Sequence, residues 1–190
     1  MVKEVLQWYG AMIEKALDRA MPREDCPQRE VFEACRYSLL AGGKRIRPCL
    51  LLEFYRLCGG NPQDALAFAC GLEMIHTYSL IHDDLPCMDN DDYRRGRPSN
   101  HKIYGAGMAT LAGDALLTRA FEVMLSQDRI PPERAMKAAA YIAGCSGVYG
   151  MIGGQVQDLA LEERRATEAQ LTRMVDGKTA ALLRAACVGG

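Results

Sequence analysis

The sequence lacks the features that define several broad classes of protein. Its formal net charge is only −1 over 190 residues, so it has no basic field of the kind that nucleic-acid binding requires. Its eight cysteines form no CxxC pairs, which argues against a zinc site. Period-two alternation of apolar residues is missing, so β-strands are not expected. Since no cleavable signal peptide precedes them, we expect the cysteines to be buried, reduced thiols of a cytoplasmic protein.

A long uncharged stretch, residues 138–157, has to be weighed as a membrane span because it holds no Asp, Glu, Lys or Arg. It contains five glycines together with Ser146, Gln155 and Gln157. These residues suit closely packed helices better than a segment that faces lipid. We therefore interpret the stretch as part of the core and expect no membrane span.

Apolar residues recur at helical spacing throughout the chain, which predicts a single all-α domain over residues 1–190. Helices are expected over residues 46–57 and 107–125. Asn61 and Pro62 suit the N-cap and first position of a helix that includes the apolar run 66–81. This run has large side chains at every angle of the helical wheel, which is typical of a buried helix.

The run leads into an unusual acidic and basic stretch, residues 76–98. Adjacent carboxylates at the C-terminal end of a buried helix oppose the helix dipole, so bound cations should offset their charge. Oxygen-only ligands indicate a hard metal, Mg²⁺ first, which commonly bridges to phosphate groups of a substrate. The stretch contains the carboxylates Asp83, Asp84, Asp89, Asp91 and Asp92 and the cations Arg94, Arg95 and Arg97.

A second charged segment, GGKRIRP at residues 42–48, places three cations after a glycine pair at a predicted helix start. Backbone N–H groups and the helix dipole favour phosphate at such a position, and arginine can bind it in a bidentate manner. Alone this pattern is weak, since basic clusters are frequent on surfaces. Together the two segments indicate an enzyme with two diphosphate substrates, one held through metal and one held directly.

These motifs make the sequence similar to the trans-isoprenyl diphosphate synthases. The resemblance implies antiparallel helices around a deep central cavity, usually in a homodimer. It also implies head-to-tail condensation of an allylic diphosphate with isopentenyl diphosphate. The matching motifs are GGKRIRP (42–48), HDDLPCMDNDDYRRGRP (82–98), GDALL (113–117), GGQVQD (153–158) and DGKTA (176–180).

The resemblance also assigns roles to individual residues. Asp83, Asp84 and Asp89 are the implied Mg²⁺ ligands, and Arg94 is implied to hold the allylic diphosphate. Residues that match the isopentenyl diphosphate site are Lys44, Arg47, His76 and Arg95, and those that match motifs near the allylic diphosphate and the carbocation are Lys178, Thr179, Gln155 and Asp158. His76 alone could be a core histidine, but it lies seven residues before Asp83 and therefore on the same helix face.

The spacing of the metal ligands predicts a bend. Asp83 and Asp89 are six residues apart, which is about 240° around a helix, so a regular helix cannot direct both at one metal cluster. Pro86 interrupts the helix, and the backbone is expected to turn Asp89 back. This insertion resembles bacterial farnesyl diphosphate synthases and plant-type geranylgeranyl diphosphate synthases.

Product length should depend on Tyr78 and Ser79, which occupy the positions five and four residues before Asp83. An aromatic residue at the first of these, with the insertion, resembles the farnesyl (C15) arrangement. The sequence therefore favours farnesyl diphosphate as product, with geranylgeranyl diphosphate (C20) as the alternative.

The sequence departs from the family in one respect and leaves other classes to be weighed. The family has a second Asp-rich motif downstream, but residues 102–190 contain no paired aspartates. The sequence is therefore expected to be an enzyme truncated before that motif, and its activity alone is doubtful.

Other protein classes fit the motifs less well. A terpene cyclase would not need GGKRIRP with His76. A non-catalytic synthase-like subunit would be expected to lose the metal carboxylates, and a Ca²⁺ loop would need a different ligand pattern.

Overall fold

The helix that leads into the Asp-rich stretch lies at the centre of the molecule. In a computed structural model of the protein, which describes residues 2–162 and 165–190, this helix runs from Leu66 to Asp83. Nearly all of its residues between Phe68 and Ile81 are buried, because other helices surround it. The prediction of a buried helix is confirmed.

The chain is helical almost throughout, as the apolar spacing predicts. In chain order the described elements are α1 (Val2–Ala20), α2 (Arg29–Leu39), α3 (Ile46–Leu57), α4 (Leu66–Asp83), β1 (Tyr93–Arg94), β2 (Arg97–Pro98), α5 (Asn100–Tyr104), α6 (Ala106–Leu125), α7 (Pro132–Ser146), α8 (Met151–Leu161), α9 (Glu168–Val175), a π-helical segment (Asp176–Ala180) and α10 (Ala181–Gly189).

Helices α4 and α6 approach each other closely at Gly71. A Cβ atom on Gly71 would lie 2.7 Å from the Met124 side chain and 2.9 Å from the carbonyl oxygen of Ala120. Ala109 and Ala112 are also fully buried on α6, so small residues let the two backbones come together. This contact places the N-terminal half of α6 beside the C-terminal end of α4, where the acidic stretch begins.

The predicted start of α4 is wrong by four residues. Asn61 and Pro62 belong to a turn, and the helix begins at Leu66. The Asn61 side-chain oxygen accepts from the backbone N–H of Gln63 at 3.2 Å, and the N–H of Asp64 donates to the Asn61 carbonyl at 2.9 Å. An asparagine that folds its side chain onto the backbone two residues ahead stabilises a turn as readily as a helix cap.

The uncharged stretch 138–157 forms two helices joined by a bend rather than one long helix. α7 ends at Ser146 and α8 begins at Met151. Only one side of each is buried, and Tyr149 in the bend is 99% exposed, so the interpretation of the whole stretch as core is only partly correct. Among the described residues, every helix is too short or too polar to span a bilayer.

One short hairpin occurs where no strand was expected. Strands β1 and β2 pair antiparallel, with Tyr93 opposite Pro98. Arg95 and Gly96 form the turn, and both have positive φ, 54° and 74°, as a two-residue hairpin turn requires. This turn directs Arg94 and Arg95 to different partners.

The cysteines are free thiols, but the expectation that they are buried holds for only some of them. Cys58 and Cys87 are exposed. Both lie in turns outside the helices, where the helical pattern of apolar residues gives no information about burial. The buried thiols are Cys35, Cys49 and Cys70.

Candidate active site

The carboxylates Asp83 and Asp89 are brought together by a bend directly after α4. The backbone N–H of Asp89 donates to the carbonyl oxygen of Asp83 at 2.9 Å, and that of Asn90 donates to Leu85 at 3.1 Å. These bonds fold the loop that contains Pro86 back onto the end of the helix. The bend predicted from the six-residue spacing is present.

Asp83 is largely buried and lies among charges of both signs. Its side chain is 14% exposed. Burial raises the pKa of Asp83, the Lys178 ammonium lowers it, and the charge of Asp89 raises it again, with a net upward shift. The C-terminal end of α4 also disfavours an anion. The ionised form of Asp83 is therefore disfavoured, and a bound cation would stabilise it.

The available donors fit Mg²⁺ better than a metal that needs a complete protein cage. Within residues 2–162 and 165–190, no three His, Cys, Asp or Glu side chains converge tightly enough to enclose an ion. Mg²⁺ commonly uses one or two carboxylates and completes its coordination with water and phosphate oxygens. Asp83 and Asp89 supply such a pair.

Asp84 is already bound by Arg94. Its side chain is 3% exposed, and the Arg94 Nε lies 2.8 Å from both carboxylate oxygens while Nη2 lies 2.5 Å from Oδ1. Two residues that the family resemblance assigns to metal and to allylic diphosphate thus bind each other. Those two roles stay predictions.

Arg47 and His76 form a basic wall on the same side of α4 as Asp83. Arg47 Nη1 lies 3.4 Å from His76 Nε2. A guanidinium can only donate, so Nε2 accepts and the imidazole proton lies on Nδ1. Burial, and next the charge of Arg47, lower the pKa of His76 to about 3. The imidazole is therefore neutral at neutral pH, and a bound anion would raise its pKa.

The remaining predicted members of the basic group lie on the loop before α3 and on the hairpin. Arg95 donates to the carbonyl oxygen of Gly42, and a Cβ on Gly43 would lie 2.7 Å from its guanidinium. Arg95 thus joins the two charged segments. It lies near enough to His76 to lower its pKa, whereas Lys44 is exposed on the loop.

Arg45, the second cation of GGKRIRP, has a structural contact that the sequence pattern did not reveal. Its side chain is 2% exposed, with Nη1 2.6 Å from Glu73 and Nε 2.8 Å from Glu14. Arg45 therefore anchors the loop to α4, because breaking one side of a buried ion pair is strongly destabilising. Glu73 is the only acidic residue within residues 66–81, a signal that could have indicated this pair.

Lys178 reaches the acidic group from the π-helical segment. Its ammonium bonds to Asp158 and lies 3.9 Å from Asp83 Oδ2. Burial opposes its charge, but the bond to Asp158 and the charge of Asp83 outweigh burial and raise the pKa of Lys178. Such single π-turns inside α-helices are frequent at functional sites.

Close contact between α8 and the π-helical segment sets this geometry. A Cβ on Gly154 would lie 2.0 Å from the backbone nitrogen of Lys178, and one on Gly177 would lie 2.8 Å from Gly154 Cα. Neither position can carry a side chain. The next residue on α8, Gln155, has a buried Nε2 without a hydrogen-bond partner within the described residues.

These groups surround a cavity of about 440 Å³ between α4, α6, α8 and the π-helical segment. Tyr78 and Ser79 lie in its wall. The Ser79 hydroxyl donates to the carbonyl of His76 at 2.9 Å, while Tyr78 is buried and contributes a bulky ring. The predicted site residues that line the cavity are Arg47, His76, Tyr78, Ser79, Asp83, Gln155, Lys178 and Thr179, whereas Lys44, Asp84, Asp89, Arg94 and Arg95 lie outside its lining.

Two further cavity residues were not singled out by the sequence pattern. His82 contacts α6 through its ring, and Cys87 is an exposed thiol in the loop between Asp84 and Asp89. Both fall inside the acidic motif, and the spacing of its carboxylates gives no information about the roles of the residues beside them.

The fold and the site define an all-α protein with one cavity, whose wall contains the carboxylate of Asp83 in one part and the side chains of Arg47 and His76 in another. The chain belongs to the Polyprenyl synthetase family, whose profile matches residues 28–190. This confirms the resemblance drawn from the motifs, and the helical bundle fold is shared with solved structures of isoprenyl synthases.

Curated relatives include both geranylgeranyl and farnesyl synthases. Geranylgeranyl pyrophosphate synthase of Capsicum annuum is 49% identical over 180 residues, which cover 94% of this chain and 48% of the relative. Farnesyl diphosphate synthase of Geobacillus stearothermophilus is 45% identical over 185 residues, covering 96% of this chain and 62% of the relative. The chain thus spans about half the length of the plant relatives that it matches.

Among solved structures, an FPP/GFPP synthase from Zymomonas mobilis superposes with a TM-score of 0.91 at 38% identity, covering 99% of this chain and 70% of that chain. A geranylgeranyl pyrophosphate synthetase from Geoglobus acetivorans gives a TM-score of 0.90 at 30% identity, covering 97% of this chain and 58% of that chain.

Proposed function

We propose that the protein is a Mg²⁺-dependent short-chain prenyltransferase that joins isopentenyl diphosphate to an allylic diphosphate. The observation that carries the proposal is one cavity with Asp83 on one part of its wall and Arg47 with His76 on another. The two positions suit two diphosphates that are bound in different ways. One would be bound through a metal ion, and the other would be bound directly by side chains. The rest of the cavity wall is largely apolar and suits a prenyl chain.

Different side chains would bind the two substrates. Arg47, His76 and Arg95 would bind the isopentenyl diphosphate directly and hold its carbon chain toward the allylic partner. Mg²⁺ held by Asp83 and Asp89 would offset the charge of the allylic diphosphate as it departs. Lys178, fixed by its bond to Asp158 and 3.9 Å from Asp83, would stabilise the same departing charge.

For the product we propose farnesyl diphosphate, because the buried Tyr78 ring narrows the cavity near Asp83. Geranylgeranyl diphosphate is the second candidate, and the names of several relatives at 47–52% identity support it. The homodimer and the cytoplasmic location stay predictions, and some relatives are named chloroplastic. The non-catalytic subunit is disfavoured by the intact carboxylate pair.

Replacement of Tyr78 with alanine tests both the activity and the product length. The complete gene product should convert isopentenyl and geranyl diphosphates mainly to the C15 product with Mg²⁺. Tyr78→Ala should shift the main product to C20 and longer, because its ring no longer blocks the growing chain. Chromatography of the products measures the shift, and Tyr149→Ala is the control since Tyr149 is 99% exposed. Unchanged C15 product from the Tyr78 variant would assign the cavity floor to another residue.

Alkylation of Cys87 tests the metal and diphosphate site without catalysis. Cys87 lines the cavity beside the carboxylates, so a bound ligand should cover its thiol. We expect Mg²⁺ with inorganic pyrophosphate to slow its reaction with iodoacetamide several-fold, as followed by peptide mass spectrometry. Cys58 is also exposed but lies at the end of α3, and its rate should not change. Equal rates at Cys87 with and without both ligands would contradict this placement of the site.

A further inference from the structure

His82 occupies a position between the chain-length residue Tyr78 and helix α6. It lies one helical turn after Tyr78 on α4, and both residues line the cavity. The two rings meet edge to face, with centroids 5.7 Å apart and an interplanar angle of 81°. Aromatic pairs favour this geometry because the positive edge of one ring faces the negative face of the other.

Helix α6 fixes the His82 ring from the other side. The His82 Nε2 lies 3.0 Å from the carbonyl oxygen of Thr110. Because a carbonyl can only accept, Nε2 carries the proton and donates it. The same nitrogen is 3.9 Å from Asp114.

The backbone of α6 leaves room for this ring at Gly113. A Cβ on Gly113 would lie 2.1 Å from His82 Nε2 and 2.4 Å from Cδ2. Any larger residue at Gly113 would push the imidazole out of its place. Gly113 is the first residue of the GDALL motif, and the His82 ring fills the space that a side chain at Gly113 would occupy.

Tyr78 by contrast makes no side-chain hydrogen bond to any part of the chain that the structure describes. Its hydroxyl is buried and lacks a hydrogen-bond partner within the described residues. The orientation of its ring therefore depends on packing, and His82 supplies an aromatic contact whose position α6 fixes. Removal of the His82 ring would leave Tyr78 free to take other rotamers.

We propose that His82 is a positioning residue for product length, which holds the Tyr78 ring across the path of the growing prenyl chain. The inference rests on the proposed prenyltransferase function. His82 contributes by fixing Tyr78 against α6 and needs no contact with either diphosphate.

The test compares His82→Ala and His82→Phe in the complete gene product and in the Tyr78→Ala background. An edge-to-face pair changes a rotamer population by roughly threefold to tenfold, so His82→Ala should raise the C20-to-C15 ratio by about that factor. His82→Phe keeps a ring against Tyr78 and should restore most of the C15 product. In the Tyr78→Ala background, His82→Ala should change the ratio no further, because its effect acts through Tyr78.

The possible results distinguish a failure of the proposed prenyltransferase function from a failure of the positioning role of His82. Absence of any prenyl product from the unmodified protein would refute the proposed function. Prenyl product with an unchanged ratio in His82→Ala, or an equal further shift in the Tyr78→Ala background, would refute the positioning role. If His82→Ala does not fold, His82→Gln replaces it, since glutamine keeps an N–H donor for Thr110 without a ring. The same rise is then expected, and an unchanged ratio refutes the proposal.

Discussion

Replacement of Asp83 with asparagine should lower turnover of the complete gene product by roughly 10²–10³, the range seen when one group that stabilises developing charge is removed. Asparagine keeps the shape of the side chain but removes the charge that would hold Mg²⁺ beside the departing diphosphate. Steady-state rates at saturating Mg²⁺ measure the effect. The matched control is Asp92→Asn, because Asp92 lies in the same stretch but forms an exposed ion pair with Lys102 at 2.9 Å.

The same variant should fold at least as well as the unmodified protein. The pKa of Asp83 is raised in the folded state, first by burial. An ionised carboxylate with a raised pKa therefore costs folding free energy above that pKa, and a neutral amide removes the cost. Thermal unfolding near neutral pH should show an equal or higher midpoint for Asp83→Asn. A loss of turnover together with a loss of folded protein would assign Asp83 a structural role.

Replacement of Arg47 with glutamine should raise the KM for isopentenyl diphosphate by roughly 30-fold or more, as expected when one partner of a buried charged contact is removed. Arg47 Nε is buried without a hydrogen-bond partner within the described residues, and burial lowers the pKa of Arg47. The guanidinium is thus already partly desolvated, and it lines the cavity in which an anion would bind. Lys44→Gln should have a smaller effect in the same direction, because Lys44 is exposed.

Measurement of KM for both substrates tests whether the two diphosphates bind at different parts of the cavity. The KM for the allylic diphosphate should change little in the Arg47 variant, since that substrate is assigned to the carboxylate side. Arg56→Gln provides a control on the same helix, because Arg56 is exposed and pairs with Glu53 at 2.7 Å. An equal rise in both KM values would contradict the assignment of Arg47 to isopentenyl diphosphate.

Several contacts of the site could not be predicted from the sequence, because they join residues that belong to different structural elements. Arg45, which lies between two cations of the basic motif, is bound to Glu73 on a different helix. Arg94 is bound to Asp84, although both match ligand-binding positions of the family. Charge pattern shows that these residues are present, but only packing decides which of them are neutralised by one another.

Sequence reasoning was sufficient for the helical class, the buried α4, the bend after Asp83 and the family of the protein. Each depends on local rules, since helical period and proline geometry act within a few residues, and the motifs are read in order along the chain. Packing between elements was needed to show that His76 is neutral, that Lys178 lies between Asp158 and Asp83, and that His82 joins Tyr78 to α6. These depend on burial and on distances between elements, which the spacing of residues does not specify.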